Sequence, residues 1–361
     1  MIKGNRGEWS EIYVLLKLLG EGKVYAADEN LKPLDLHFPI LEVIREETPG
    51  EQYKYIPATM VKVFAGNVQV AEYLASEFTL KAAELLNVIM ASGEASFPAT
   101  NIEAFMGAIK CKKLKSPPPN IGNARLGKTD ITMKVHDPNT RHEPVCGFSI
   151  KSELGHAPTL LNAGRTTNFI YEVKGLTVAD IAEINAIDTR TKIIDRMKAI
   201  RAKGEMIFLG LNDDAFASNL EIVDSSLEKI LAYALSYYYD DEAITCSDAV
   251  ALLTKRNPLN ARTPRGYYAV KFKKFLTAIA LGMVPSKPWD GRDEAAGGYI
   301  IVTQSGDVLA YHIYNRDSFE EYLLKNTKFE RASTTRHDFA SLYTDGVKTY
   351  INLNMQIRFI K

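Results

Sequence analysis

Asp130 and Lys151 are the two residues of this sequence whose types and spacing could best carry out chemistry. Each lies in a run in which apolar and polar residues alternate, 127–135 (GKTDITMKV) and 146–154 (CGFSIKSEL), the pattern expected of two β-strands. Both side chains fall on the polar side of their run. A carboxylate beside an ammonium could bind a divalent cation and orient or activate water, and metal-assisted hydrolysis requires both.

The segment between the two runs, 137–144 (DPNTRHEP), begins with residues typical of a turn. A hairpin closed symmetrically on this loop would place Asp130 opposite Lys151 and Thr132 opposite Ser149. The structural alternative is an ion pair on a solvent-exposed sheet face, which contributes only about 0–1 kcal/mol. The strand pattern by itself leaves both interpretations open.

A phosphate-loop motif overlaps the first run. Gly122, Gly127, Lys128 and Thr129 match the pattern G-x-x-x-x-G-K-T, which binds phosphate only between a buried strand and a helix whose first amides contact the phosphates. Here the prolines of 112–120 (KKLKSPPPN) exclude a central strand before the motif, and a β-type run follows it. The sequence context therefore rejects nucleotide binding by this loop.

The composition permits a DNA-binding protein without favouring one. The 361-residue chain is long enough for one large core or two smaller ones. Its hydrophobic content of 46% and charged content of 24% are those of an ordinary globular protein. Because the formal net charge is +0, affinity for nucleic acid would have to come from local basic patches rather than from a global positive field.

The spacing of the cysteines and the lack of a long apolar run indicate in which cellular compartment the protein is expected. Cys111, Cys146 and Cys246 are far apart and form no C-x-x-C pair, which predicts a reducing environment and no structural zinc site. Residues 1–11 contain no apolar signal core, and no run of about 18 apolar residues occurs. We therefore expect a soluble cytoplasmic protein that has no membrane partner.

Residues 8–20 (EWSEIYVLLKLLG) predict an amphipathic helix that ends at Gly20. Extending its apolar stripe backward at helical spacing leads to Glu8 and Glu11. Acidic residues that continue a buried face are candidates for a functional site. They could equally lie in the first turn to complement the helix dipole, which is favourable by about 0.3–1 kcal/mol.

The sequence changes character near residue 285. Helical patterns alternate with short strands before it, whereas two hairpin signals, at 305–307 (SGD) and 345–346 (DG), follow it. We expect an α/β (α+β) chain with a core over residues 1–285 that contains helical insertions. A smaller β-rich C-terminal subdomain is expected over residues 286–361, where it would contribute to recognition.

Two polar segments and one basic segment have the composition of a DNA-contacting surface. Segments 162–168 and 331–338 combine arginine with short amide and hydroxyl side chains, which contact phosphates and base edges. Segment 255–282 is the most basic part of the chain. The residues predicted to contact DNA are Asn162, Arg165, Thr167, Asn168, Arg262, Arg265, Thr335, Arg336 and His337.

The chain resembles the HpaII-type restriction endonucleases, within the PD-(D/E)xK nuclease superfamily. The segments that carry the resemblance are 6–19 (RGEWSEIYVLLKLL), 24–28 (VYAAD), 127–131 (GKTDI), 147–155 (GFSIKSELG), 159–173 (TLLNAGRTTNFIYEV), 336–339 (RHDF) and 353–359 (LNMQIRF). The superfamily signature D-x(n)-(D/E)-x-K is weak by itself, but the longer run of GFSIKS, TLLNA and TNF is much more specific. The resemblance implies a restriction-endonuclease-like core with a mixed central β-sheet flanked by helices.

The resemblance also implies that Asp130 and Lys151 are catalytic. Ser149 stands where the superfamily has its second acid, and it is counted with the catalytic residues. A single aspartate is a poor site for Mg²⁺, which requires octahedral oxygen ligands, although water can supply several of them. The implied ligands are Asp130, the carbonyl of Ile150 and a glutamate.

That glutamate is expected on a helix packed against the strands, because some restriction enzymes with an S-x-K site take the missing carboxylate from elsewhere, commonly from such a helix. Glu11 and Glu8 are the favoured candidates, and Glu11 is assigned to the metal. Glu153 and Glu172 are the reserves. Lys151 would then orient or deprotonate the attacking water, or stabilise the pentavalent phosphorane.

The function implied is that of a bacterial type II restriction endonuclease, which makes Mg²⁺-dependent double-strand cuts in DNA at a short palindrome, expected to be CCGG. A homodimer is one expectation for cutting a palindrome, and a cognate methyltransferase is expected as a genetic partner. The alternatives are a sequence-nonspecific repair or recombination nuclease and a catalytically inactive DNA-binding protein.

Overall fold

The computed structural model describes residues 1–120, 127, 129–312 and 316–360. They form two compact units: unit 1 comprises Met1–Pro158 and Asp293–Tyr322, and unit 2 comprises Thr159–Arg292 and Leu323–Ile360. The predicted mixed α/β fold with a central sheet is confirmed. None of the helices in the described ranges is long and apolar enough to cross a membrane.

Helices and strands alternate along the chain, with strands dominating both ends. The helices are α1 (Arg6–Glu21), α2 (Ala75–Ala91), α3 (Thr100–Ala108), α4 (Val178–Asn185), α5 (Lys192–Lys203), α6 (Asp214–Val223), α7 (Leu227–Tyr239), α8 (Cys246–Arg256), α9 (Pro264–Leu281), α10 (Arg316–Lys325) and α11 (Thr334–His337). The strands are β1 (Lys3–Gly4), β2 (Lys23–Ala27), β3 (Pro33–Thr48), β4 (Glu51–Ile56), β5 (Met60–Ala65), β6 (Val68–Leu74), β7 (Phe97–Pro98), β8 (Ile131–Val135), β9 (Val145–Ser152), β10 (Thr159–Leu161), β11 (Asn168–Lys174), β12 (Glu205–Leu211), β13 (Gly298–Val302), β14 (Val308–His312), β15 (Thr327–Phe329), β16 (Leu342–Thr344), β17 (Thr349–Asn354) and β18 (Ile357–Phe359).

Unit 1 is built on a nine-stranded sheet with the order β2-β14-β13-β9-β8-β3-β4-β5-β6. Strand β13 runs parallel to β9, and β14 runs parallel to β2. The other neighbours along the sheet are antiparallel. Strands β8 and β9 lie in the interior of the sheet, and their apolar side chains share one hydrophobic core with those of α1 and α2.

The chain segment expected to form a C-terminal subdomain, 286–361, is divided between the units. Its first hairpin, β13–β14, joins the sheet of unit 1, because β13 forms a parallel ladder with β9. Its last strands belong to unit 2, where β17 pairs with β11 and β18 lies between β10 and β15. The chain thus changes unit near residues 158, 292 and 322, and residue 285 falls inside unit 2.

The β8–β9 hairpin forms as predicted, but its pairing differs by two residues. Thr132 lies opposite Gly147 instead of Ser149, so Lys151 extends beyond the end of β8. The cause is the turn. The Asp137 carboxylate accepts hydrogen bonds from the amides of Asn139 (2.8 Å) and Thr140 (3.4 Å), which centres the loop one residue earlier than a symmetric closure would.

A slip of two residues leaves each side chain on its predicted face, because side chains alternate with a period of two. Ile131, Met133 and Val135 are buried in the core as expected. Thr129 leads directly into strand β8 and not into a helix, which agrees with the rejection of the phosphate-loop motif. Gly122 and Lys128 of that motif lie outside the described residues.

Helix α1 confirms the helix predicted over residues 8–20 and extends it at both ends. Asn5 caps its first turn by accepting from the amide of Glu8 (3.0 Å), and Gly22 ends it in a left-handed conformation with φ of 66°. Trp9 is fully buried and donates its indole N–H to the carbonyl of Phe97 (2.9 Å). The helix is therefore firmly held in the core beside the hairpin.

A buried ion pair on β3 holds the proline-rich segment that leads to Asp130. Arg45 (5% exposed) donates to Glu47 (0% exposed) over 2.5 Å, and its guanidinium also donates to the carbonyl of Lys113. The second carboxylate oxygen of Glu47 accepts from the amides of Lys112 (2.8 Å) and Lys113 (3.1 Å). Charges buried this deeply are tolerated only when every one of them is paired.

We predict that Glu47→Leu destabilises the protein by about 3–5 kcal/mol, because it leaves the Arg45 guanidinium buried without its counter-charge. The measurement is chemical unfolding followed by circular dichroism. The matched control is Glu51→Gln, since Glu51 also pairs with this segment, through Lys112, but lies on the surface. Equal unfolding midpoints for the two variants would contradict the assignment of Glu47 as a buried anchor.

Candidate active site

Asp130 lies immediately before β8 and is held against the neighbouring strand. Its Oδ2 accepts hydrogen bonds from the amide of Ile150 (2.7 Å) and the hydroxyl of Ser149 (3.1 Å). Its own amide donates to the carbonyl of Phe148 (2.9 Å). Ser149 is only 2% exposed, so the residue at the expected position of a second acid acts here as a hydrogen-bond donor that orients Asp130.

Lys151 lies at the carboxyl end of β9, on the same face as Ser149, because the two positions differ by two in a strand. Burial lowers the pKa of the Lys151 ammonium, and the negative charges of Asp130 and Glu11 partly oppose that shift. Within the described chain Lys151 forms no ion pair with an acidic side chain. Its Nζ lies over the ring of Tyr299, 5.6 Å from the ring centroid.

Glu11 completes this group from helix α1. The neighbouring Ser10 hydroxyl donates to the hydroxyl of Ser152 on β9 (2.7 Å), and Arg6 donates to the carbonyl of Leu154 (2.9 Å). These two bonds fix the helix at the end of the strand that carries Lys151. Glu11 itself makes no hydrogen bond or ion pair with the residues that the structure describes.

The environment of Glu11 raises the pKa of its carboxyl group to about 8. The largest cause is burial, and the next is the negative charge of Asp130, whereas Lys115 and Arg45 act in the opposite direction. In the metal-free protein Glu11 is therefore largely protonated at neutral pH. Glu11, Asp130 and Lys151 interact electrostatically, as expected of groups that share one site.

Two of the other candidate glutamates, Glu8 and Glu172, have side-chain partners elsewhere. Glu8 closes the capping box of α1 by accepting from the amide of Asn5 (2.9 Å), and it pairs with Lys115 at 3.5 Å. Glu8 therefore has the role at the start of the helix that was the alternative to a functional role. Glu172 lies in unit 2 and pairs with Lys348 at 3.1 Å. Glu153 follows β9, and its amide donates to the carbonyl of Val302 (2.8 Å).

The donor set around Asp130 consists of oxygens. Two carboxylates, from Glu11 and Asp130, and the carbonyl of Ile150 are hard ligands suited to a small divalent cation. No group of three or more His, Cys, Asp or Glu side chains is placed to hold a metal ion anywhere in the described ranges. A cation at this point would consequently depend on two carboxylates, with water supplying further ligands.

The residues predicted to contact DNA lie in unit 2, where some of their side chains are exposed and others are buried. Five of the seven in segments 162–168 and 331–338 have exposed or partly exposed side chains: Asn162, Arg165, Thr335, Arg336 and His337. Thr167 and Asn168 are instead buried, at 0% and 1% exposure. Arg262 and Arg265 are exposed at the beginning of α9. Their binding to the DNA backbone stays a prediction.

The two buried residues join the polar segments to each other. The Asn168 amide donates to the carbonyls of His337 (3.0 Å) and Asp338 (3.2 Å). Asn354, on the strand paired with Asn168, donates to Asn168 Oδ1 (2.7 Å) and the Gly164 carbonyl (2.7 Å). The buried side chains of Asn168 and Asn354 thus join the segment that carries Arg165 to the segment that carries Arg336. Direct contact of Asn168 with a base stays a prediction.

Asn354 and Tyr299 were not singled out by sequence reasoning. Asn354 carries no local signal, because its importance comes from pairing with a strand 186 residues away in sequence. Tyr299 reaches Lys151 only because β13 pairs in parallel with β9. Neither long-range ladder is visible in residue spacing.

A cavity of about 1020 Å³ lies in unit 2 and contains none of the predicted catalytic residues. Arginines in its lining are paired with acidic side chains, Arg201 with Asp240 at 2.9 Å and Arg256 with Glu242 at 2.7 Å. Because these arginines are already paired and the cavity lining includes none of the predicted catalytic residues, the group around Asp130 remains the candidate active site.

The model of the HpaII restriction endonuclease family matches residues 5–359, and the chain belongs to that family. It is accordingly a type II restriction endonuclease, a site-specific deoxyribonuclease. Over 362 residues it is 37% identical to the type II restriction enzyme HpaII of Haemophilus parainfluenzae, which covers 99% of this chain and 98% of that protein. No solved structure matches the chain significantly.

We predict that Glu11→Gln stabilises the metal-free protein at high pH. Glu11 has a folded-state pKa of about 8 against an ordinary value of 4.5, so its ionisation opposes folding progressively as pH rises from about 4.5 to 8. The melting temperature of the variant, measured in EDTA, should equal that of the wild type near pH 4.5 and exceed it above pH 8. Glu8→Gln is the control, and a pH-independent difference for Glu11→Gln would contradict the shift.

Proposed function

We propose that the enzyme cleaves DNA by a PD-(D/E)xK-type site in which Asp130, the carbonyl of Ile150 and Glu11 hold Mg²⁺ and Lys151 acts on the reacting phosphate or water. The observation that carries this proposal is the electrostatic coupling of Glu11, Asp130 and Lys151 at the end of β9. A structural ion pair would instead bring Lys151 into direct contact with an acid.

The residues present fit a divalent cation. The negative charge of Asp130 contributes to the raised pKa of Glu11, and a bound cation would offset that cost of ionising Glu11. Oxygen ligands favour Mg²⁺ over softer metals. When bound, Mg²⁺ would polarise the scissile phosphate, lower the pKa of the attacking water and neutralise charge on the leaving oxygen.

The chain's own groups have separate tasks in this proposal. Ser149 and the amide of Ile150 hold the Asp130 carboxylate in one orientation, which reduces the reorganisation needed during the reaction. Lys151 orients or deprotonates the water, or stabilises the negative charge of the phosphorane. Its lowered pKa makes the ammonium easier to deprotonate and is compatible with each of these tasks.

Recognition of a palindrome, which we propose to be CCGG, is assigned to the exposed side chains held by the Asn168–Asn354 pair in unit 2. Arginine forms bidentate hydrogen bonds with guanine in the major groove, and a threonine hydroxyl, such as that of Thr335, can contact either base of a pair. Two copies of the chain acting as a homodimer would cut both strands symmetrically. A methyltransferase that modifies the same sequence is the expected genetic partner.

Asp130→Ala and Lys151→Met are expected to abolish cleavage, by at least about a thousandfold, while DNA affinity stays within about tenfold of wild type. The measurement is a plasmid digest with Mg²⁺, combined with gel-shift binding in Ca²⁺. The matched control is Lys134→Met, because Lys134 lies on the paired strand and forms an exposed ion pair with Glu143. Normal cutting by Lys151→Met would remove Lys151 from the mechanism.

Arg336→Gln is expected to weaken discrimination between CCGG and sites with one altered base pair by about 1–3 kcal/mol, because a bidentate contact is lost. The measurement is the ratio of kcat/KM for the two duplexes. Arg331→Gln is the control, since Arg331 is already paired with Asp241 at 3.4 Å. Unchanged discrimination in Arg336→Gln would exclude Arg336 from base recognition.

A further inference from the structure

Tyr299 lies under the proposed catalytic lysine, although the two residues are 148 positions apart in the sequence and the chain between them passes through unit 2. It occupies β13, which runs parallel to β9 and places Tyr299 opposite Ser149. Residues opposite one another in a ladder share a face. Tyr299, Ser149 and Lys151 therefore project from the same side of the sheet.

The Tyr299 ring offers its face to the ammonium. Lys151 Nζ lies 5.6 Å from the ring centroid, within the range in which the negative face of an aromatic ring attracts a cation. The ring is fully buried (0% exposed) and packs against Phe319, with the centroids 5.0 Å apart and the planes at 60°. Because the ring is tightly packed, it has little freedom to move together with the lysine side chain. The ring therefore determines where the ammonium lies.

The attraction comes from the ring face and not from a phenolate. Burial and the negative charge of Asp130 raise the pKa of the Tyr299 phenol, which keeps it neutral at every pH at which the enzyme would work. The ammonium is thus attracted both by the negative charge of Asp130 and by a neutral aromatic surface. In the described chain it reaches no acidic side chain closely enough to form an ion pair.

We propose that Tyr299 is a positioning residue that holds the Lys151 ammonium over its ring and away from the Asp130 carboxylate. Asp130 then stays available for the metal, and Lys151 stays available for the phosphate or the water. This inference rests on the proposed role of Lys151 in cleavage. No covalent step is assigned to Tyr299.

The test begins with Tyr299→Phe and Tyr299→Leu, measured on a duplex that contains the recognition site. Phenylalanine keeps the ring face, so kcat should stay within about threefold of wild type. Leucine removes the ring, so kcat should fall at least tenfold while KM for DNA stays within threefold. Tyr322→Leu is the control for loss of a buried ring, because Tyr322 is 2% exposed and packs in the same aromatic group through Tyr311.

A second series avoids the risk that Tyr299→Leu fails to fold. Phenylalanine with one, two and three ring fluorines is incorporated at position 299, which preserves the shape of the ring while withdrawing charge from its face. The proposal expects kcat to fall with each added fluorine while melting temperature and KM stay nearly constant. A flat kcat across the series, or equal kcat losses for Tyr299→Leu and Tyr322→Leu, would overturn it.

Unfolding measurements separate this inference from the proposed function. The double-mutant cycle of Lys151→Met and Tyr299→Phe or Tyr299→Leu reports their contact without any cleavage. An interaction energy in the Tyr299→Leu cycle, together with nearly additive effects in the Tyr299→Phe cycle, supports the contact, whereas additive effects in the Tyr299→Leu cycle refute it. If the coupling is present but Lys151→Met cuts DNA normally, the proposed role of Lys151 fails while the contact stands.

Discussion

Two carboxyl groups held close together in a poorly hydrated place are the constraint on which the rest of this site depends. Glu11 and Asp130 come from a helix and a hairpin, and burial together with their mutual repulsion raises the pKa of Glu11 to about 8. An arrangement that costs folding free energy without a cation persists only if the surrounding structure fixes it. We propose that a divalent cation bound by the two carboxylates would offset this cost.

The surrounding structure supplies that rigidity through bonds that converge on the end of β9. Ser10 and Arg6 attach α1 to Ser152 and Leu154, which determines where Glu11 points. On the opposite side, Arg45 and Glu47 hold the segment that leads into Asp130. The two carboxylates cannot easily separate, because α1 is hydrogen-bonded to Ser152 and Leu154, and the Asp130 carboxylate accepts two hydrogen bonds from β9.

A serine at position 149 is compatible with the closeness of the Glu11 and Asp130 carboxyl groups. A second acid on β9 would add a third negative charge beside Asp130, whereas the Ser149 hydroxyl donates a hydrogen bond to it. The carboxylate supplied by α1 comes from a different direction and leaves the strand face to Asp130, Ser149 and Lys151. In the proposed site, the absence of an acid from the strand and the presence of one on the helix would be parts of the same electrostatic arrangement.

Local patterns in the sequence predicted the parts of this site that depend on local structure. Alternation identified both strands of the hairpin and the faces of Asp130 and Lys151, and helical spacing brought Glu11 into consideration. The same patterns could not choose between Glu11 and Glu8, since that choice depends on which of them Asn5 engages in the capping box. They placed the hairpin two residues out of register, because the bonds of the Asp137 carboxylate set the centre of the turn.

Features that depend on pairing between distant strands could not be predicted at all. The parallel ladder of β13 with β9 brings Tyr299 under Lys151 and takes the hairpin of 298–312 away from the expected C-terminal subdomain. The ladder of β11 with β17 places Asn354 beside Asn168. Residue spacing records which face a side chain occupies, but it does not record the partner strand.

The most direct test of the shared cation is calorimetric titration of the full-length protein with Mg²⁺ at pH 9, where Glu11 is ionised, for the wild type, Glu11→Gln and Glu8→Gln. If Glu11 and Asp130 bind one cation together, Glu11→Gln should weaken Mg²⁺ binding by about tenfold or more, and Glu8→Gln should bind like the wild type. Unchanged affinity in Glu11→Gln, or a loss confined to Glu8→Gln, would contradict the site described above.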